Sequence, residues 1–229
     1  MPDRKPLRTI EELRRVIRAL GFEFKTDTVF IVGSQAILAS MPDAPEVVRQ
    51  SPEFDAFPGN ARMWEITEKE LAPGVRPIAS EHIHGLFGPN TPFHQTHGFY
   101  IDGVDERTAK LPNGWRQRAI EVREEVDGRT VVGVAPSTVD LVVSKIARLD
   151  PRDRVFVEAI HEKRPLDLKL SKKEFCRPTS LQRSPNGLLP TSEAWRRRRE
   201  ISHRHYGHRG PRRLKNQTEL PPSADQGFI

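Results

Sequence analysis

Residues 29–57 read VFIVGSQAILASMPDAPEVVRQSPEFDAF, and the order of features in this stretch decides the fold. An apolar run, Val29–Val32, meets Gly33 and Ser34 and then the short helical stretch 35–41, which Pro42 and Pro45 break. Glu53–Phe57 then alternates polar and apolar residues as a half-buried strand does, with Pro58 and Gly59 closing it. Successive strand side chains point to opposite faces, so Glu53 and Asp55 share one face. Two carboxylates that close repel each other unless a cation sits between them, and Mg²⁺ takes oxygen ligands that it commonly shares with phosphates. Gly33 permits close backbone approach to a phosphate, Ser34 brings a hydroxyl, and the helix start behind them brings free N–H groups. These parts suit a nucleoside triphosphate held over a metal. The competing reading of Glu53 and Asp55 is a solvated strand face, or ion pairs with Arg49 or Arg62.

Outward from this stretch the chain alternates helical and extended periods. Thr9–Leu20 is an amphipathic helix with Ile10, Leu13, Val16, Ile17 and Leu20 on one face, a Thr9/Glu12 capping box, and Gly21 as its stop. A helix is expected over Met63–Leu71, mostly loop with short elements of unassigned type over Pro73–Gly98, and a strand within Gly98–Val104. AIEVREEV and RTVVGVA flank Asp127-Gly128, the dipeptide of a tight hairpin turn. Ser137 caps a helix with Val139, Val142, Val143, Ile146 and Leu149 on one face, and a second helix follows Pro151. The fold class is therefore α/β (α+β), a mixed sheet flanked by helices.

After Pro165 the periodicity fades. Residues 166–229 hold 14 Lys plus Arg against 6 Asp plus Glu, whereas residues 1–165 hold 23 against 25, so the chain's net +6 comes from this segment. Its Pro, Ser, Gly and Arg content cannot bury enough surface to offset the entropy of ordering, and a disordered basic tail beyond a folded domain of residues 1–165 is expected. The run Trp195–Arg199 and the arginines after it could neutralise nucleic-acid phosphates. One cysteine, Cys176, the absence of a signal-like start and the absence of a long apolar run point to the cytoplasm and away from the membrane.

An apolar strand, Gly-Ser, a helix, and a strand with two acidic residues separated by one: in this order the chain resembles the nucleotidyltransferase superfamily. YIDGVDERTAKLPNGWRQRAIEV (100–122) and VAPSTVDLVVSKIARLDPRDRVFVEAI (134–160) look like the later half of the small prokaryotic members, especially the uncharacterised and AbiEii-like toxin groups. The resemblance spans about Phe30 to Ile160. It implies Asp102 as a third carboxylate, Mg²⁺ held by Glu53, Asp55 and Asp102, and a nucleoside triphosphate steadied by Gly33, Ser34 and Lys145. Asp140 and Asp153 stand with Lys145 at matching places of the helix behind the site. The implied acceptor is RNA, a protein or a small molecule, and a toxin-type member implies an antitoxin partner. The chain departs from the pattern in having Glu53 where Asp is commoner, and a long segment between Ser34 and Glu53. A catalytically silent binding module, or a nucleic-acid binder acting through the tail, is the alternative. Asp102 beside Gly103 could instead belong to a turn, and Lys145 could snorkel to solvent.

His82, His84, His94 and His97 form a separate cluster in sequence. Their spacings match no zinc finger, and they are expected to line the cleft or bond loop carbonyls rather than hold zinc.

Overall fold

The computed structural model describes residues 6–166, except 73, 75, 107–109 and 149. The expectations for the basic tail lie outside the described residues. No helix among the described residues is long and apolar enough to cross a membrane.

Five strands form one mixed sheet in the order β3-β2-β1-β5-β4: β1 is Thr28–Val32, β2 Glu53–Pro58, β3 Tyr100–Gly103, β4 Ile120–Val126 and β5 Arg129–Ala135. β1 runs antiparallel to β2 and parallel to β5, while β2 and β3 run parallel. β4 and β5 form the expected hairpin, paired from Ile120↔Ala135 to Val126↔Arg129. Asp127 and Gly128 both take positive φ, 49° and 71°, as a two-residue turn matched to strand twist requires.

Helix α1, Ile10–Glu23, lays Leu13, Val16, Ile17 and Leu20 fully buried on one face of this sheet. Each such side chain contributes about 1.5–3 kcal/mol by leaving water. Its start is the capping box, in which Thr9 accepts from the Glu12 N–H and the Glu12 carboxylate accepts from the Thr9 N–H. Its end differs from expectation, because Gly21 lies inside the helix rather than after it. A Cβ on Gly21 would stand 2.9 Å from both Val131 methyls, so this glycine serves close packing on β5.

The stretch after Gly33 is a 3₁₀ helix, Ser34–Ala39, rather than a turn of α-helix. Helix α2, Ala61–Leu71, follows β2 where a helix was expected. The region expected to be mostly loop instead holds two helices, α3 (Ala79–Phe87) and α4 (Pro92–His97). α3 has weak intrinsic propensity and is held by Ala79 and Ile83, which it buries. α4 carries ordinary punctuation: Thr91 accepts from the His94 N–H, Pro92 starts the helix, and Gly98 ends it at φ 69°. Helices α5, Thr138–Arg148, and α6, Pro151–Lys163, complete the described fold. The Ser137 hydroxyl accepts the Asp140 N–H at 3.2 Å, the expected cap of α5.

Candidate active site

The register of β2 and β3 sets Asp102 beside Asp55 and Tyr100 beside Glu53. Glu53, Asp55 and Asp102 each place an oxygen within 4.8 Å of the other two. Asp102 therefore belongs to a strand and not to an Asx turn. Arg49, weighed as an ion-pair partner for the carboxylates, donates instead to the carbonyls of Ala44 at 2.8 Å and Arg8 at 3.3 Å. Burial, and after it the charges of Glu53 and Asp102, push the Asp55 carboxyl up to about 7. The Tyr100 hydroxyl donates to Glu53 Oε2 at 3.2 Å. Burial and the Glu53 carboxylate push that phenol up to about 12, which keeps it a donor at neutral pH. Three converging carboxylates that cannot comfortably all ionise are a donor set fitted to a hard divalent cation.

Gly33 holds this cluster against the next part of the site. Its φ is +67°, and a Cβ there would fall 1.7 Å from Asp55 Oδ2, so only glycine lets the bend pass the carboxylate. Ser34 follows, and its hydroxyl oxygen accepts from Lys145 Nζ at 2.9 Å. Lys145 does not snorkel; it is 6% exposed. Its ammonium also donates to Asp153 Oδ1 at 3.0 Å and lies 4.5 Å from the centre of the Phe156 ring. Burial holds the Lys145 pKa below its ordinary value, against the opposing pull of Asp153. Asp153 is 1% exposed; against the cost of burial, hydrogen bonds from Arg148 and Lys145 hold its carboxyl below the usual range. Arg148 grips it with two donors at 2.7 Å each. Asp140 faces elsewhere: it is fully buried and bonded to Ser137 and Arg118 at the start of α5, a structural role.

A cavity of about 520 Å³ is lined by Gly33, Ser34, Glu53, Asp55, Lys145 and Arg148, among others. A smaller one of about 130 Å³ shares Gly33, Asp55 and Lys145, and adds the apolar side chains of Val32, Val104, Leu111 and Leu141. The larger volume falls in the usual range for a small-molecule site.

The four histidines do not converge, and among the described residues the carboxylate triad is the three-ligand group. His82 bonds Glu23 at 2.7 Å and packs on Trp64. His97 Nδ1 stands 2.7 Å from Arg15, and His94 Nδ1 accepts the Asn90 N–H at 3.0 Å. His84 alone of the four stands beside a triad carboxylate, with Nδ1 3.8 Å from Asp102 Oδ1. Arg148 was not anticipated from sequence. It sits three residues after Lys145 and five before Asp153, a helical spacing that carries the signal only once α5 and α6 are known to pack together.

No curated protein and no solved structure matches the chain. Residues 8–181 match the family described as nucleotidyltransferase of unknown function (DUF6036), a span that contains every site residue above and reaches into the basic segment. With more than half of its length matched, and with the strand, Gly-Ser bend and acidic triad in the places just described, the chain belongs to this nucleotidyltransferase family.

Proposed function

We propose that the protein is a metal-dependent enzyme that transfers a nucleoside monophosphate from a nucleoside triphosphate to an acceptor hydroxyl. The observation that carries this reading is the convergence of Glu53, Asp55 and Asp102 within 4.8 Å beside the Gly33-Ser34 bend. Those three side chains would hold Mg²⁺, which when bound orients the phosphates and neutralises charge on the attacking and leaving oxygens. The Gly33 backbone and the Ser34 hydroxyl steady the β- and γ-phosphates. An ammonium has three donors; Ser34 and Asp153 take two of those of Lys145, and the third serves a phosphate oxygen. Arg148 is fixed by Asp153 and adds positive charge at the same wall. The acceptor oxygen forms its bond to the α-phosphorus as the bond to the bridging oxygen of the β-phosphate breaks. Pyrophosphate leaves, and the acceptor's proton passes to water or to a carboxylate of the cluster.

By analogy with the toxin-type members it resembles, the acceptor is an RNA, a protein side chain or a small molecule, with an antitoxin protein as the partner to look for. A cytoplasmic location accords with the single Cys176. Incubation with each labelled nucleoside triphosphate, Mg²⁺ and cell-derived RNA or protein tests the proposal. Transfer that disappears in Asp55→Ala supports it, and transfer unchanged in that variant removes the triad from the reaction. Nucleotide binding with no transfer to any acceptor would favour the silent binding module.

A further inference from the structure

We infer that Tyr100 is a positioning residue that fixes Glu53 for the metal, and that its hydroxyl is needed because position 53 carries a glutamate where the other two ligands are aspartates. The inference rests on the metal-dependent reading above. Parallel pairing of β2 and β3 sets Tyr100 beside Glu53 as it sets Asp102 beside Asp55. Residues two apart along a strand point the same way, so both pairs lie on one face of the sheet. The Tyr100 hydroxyl then reaches Glu53 Oε2 at 3.2 Å.

Asp55 and Asp102 are short side chains held close to their strands. Glu53 carries one more methylene and one more torsion, and so has more freedom to lose when it binds an ion. It also faces the Asp55 carboxylate, and the two charges repel each other. An untethered Glu53 would swing away from Asp55. The bond from Tyr100 keeps it in the cluster, with an oxygen within 4.8 Å of those of Asp55 and Asp102. A carboxylate offers about four lone-pair sites, so the one taken by the phenol leaves others for the cation. The phenol ring is itself held. The His94 ring meets it near edge-on, with centres 5.3 Å apart, and His94 Nδ1 is tied to the Asn90 N–H at 3.0 Å. The line from α4 through His94 and Tyr100 therefore ends on the most flexible of the three ligands. An aspartate at position 53 would stop one methylene short of the hydroxyl and would have less need of it.

The test is Mg²⁺ titration of the full chain by calorimetry, in wild type, Tyr100→Phe, Glu53→Asp and the double variant. Tyr100→Phe keeps the ring against His94 and removes only the hydroxyl, so its circular dichroism should match wild type. It should weaken Mg²⁺ by about tenfold or more in the wild-type chain, and by less than about twofold in Glu53→Asp. The sequence holds two tyrosines, so ¹³C label at tyrosine Cζ gives two resonances. The one missing from Tyr100→Phe should shift as Mg²⁺ is added, and this resonance decides alone if Glu53→Asp no longer binds. Mg²⁺ that binds and is lost in Asp55→Asn, but is indifferent to Tyr100→Phe, would overturn this inference and leave the metal-dependent reading standing. An equal loss in both backgrounds, or a Tyr100 resonance that does not move, would do the same. Mg²⁺ that fails to bind, or that ignores Asp55→Asn, would defeat the metal-dependent reading itself and this inference with it.

Discussion

The raised Asp55 carboxyl ties the stability of the fold to pH. Its ordinary value of 3.8 is raised to about 7 in the folded chain. Between about pH 4 and pH 7 the folded protein holds a proton that the unfolded chain has already released. Folding thus becomes less favourable as pH rises through this window, and the loss is complete above it. The rise from 3.8 to about 7, at about 1.36 kcal/mol for each tenfold change in proton affinity, sets an upper limit of about 4 kcal/mol. Asp55 is only partly screened from water, which lowers the expectation to about 2–4 kcal/mol. Asp55→Asn carries no charge at any pH and escapes the loss. In the presence of a chelator the variant should match wild type near pH 4 and exceed it near pH 8, by roughly 5–10 °C in Tm for a domain of this size. Mg²⁺ added at pH 8 should raise wild type and leave the variant unmoved. Thermal melts of both proteins across this range, with and without metal, provide the assay. A gap between them that does not widen with pH, or a wild type more stable than the variant at pH 8 without metal, refutes the reasoning.

Three further substitutions separate local causes. Gly33→Ala must both adopt φ +67° and displace Asp55 Oδ2, so divalent-ion binding followed by calorimetry should weaken by at least about tenfold, with about 1–3 kcal/mol lost in chemical denaturation. Lys145→Met keeps the volume and leaves Asp153 paired with Arg148; stability in urea should fall by only about 1–3 kcal/mol, while single-turnover transfer falls about 10²–10³-fold. Gly21→Ala should gain about 1 kcal/mol of helix propensity yet lose more to the 2.9 Å contact with Val131, and a net rise in Tm would show that the glycine is not there for packing.

What could be seen in the sequence and what could not divide along the range of the interactions. The alternation placing Glu53 and Asp55 on one face is local, as are the Thr9 and Ser137 caps and the Asp127-Gly128 turn, and each is present in the fold. The partnership of Asp102 with Asp55 depends on a parallel pairing between strands more than 40 residues apart, and only the family resemblance pointed to it. Two short helices within 73–98 are not assigned by the sequence pattern, for different reasons. α4 had its Thr-Pro start and Gly stop in plain view, masked by a short and polar interior, whereas α3 exists because Ile83 and Ala79 find the sheet. Gly21 shows the reverse error: a residue that punctuates helices in isolation was retained inside one because β5 lies against it. The role of Asp153 as the hinge between Lys145 and Arg148 needs two helices to pack, which no single periodicity contains.

The bonds from Ser34 through Lys145 to Asp153 join positions 34, 145 and 153, which lie far apart along the described chain. Synthesis on a ribosome proceeds from the amino end, so the acidic cluster emerges well before the helix that neutralises the lysine. A nascent polypeptide halted short of α6 would leave that ammonium without its counter-charge. The buried bond between Lys145 and Asp153 can therefore form only after the segment carrying α6, the last helix among the described residues, has been made.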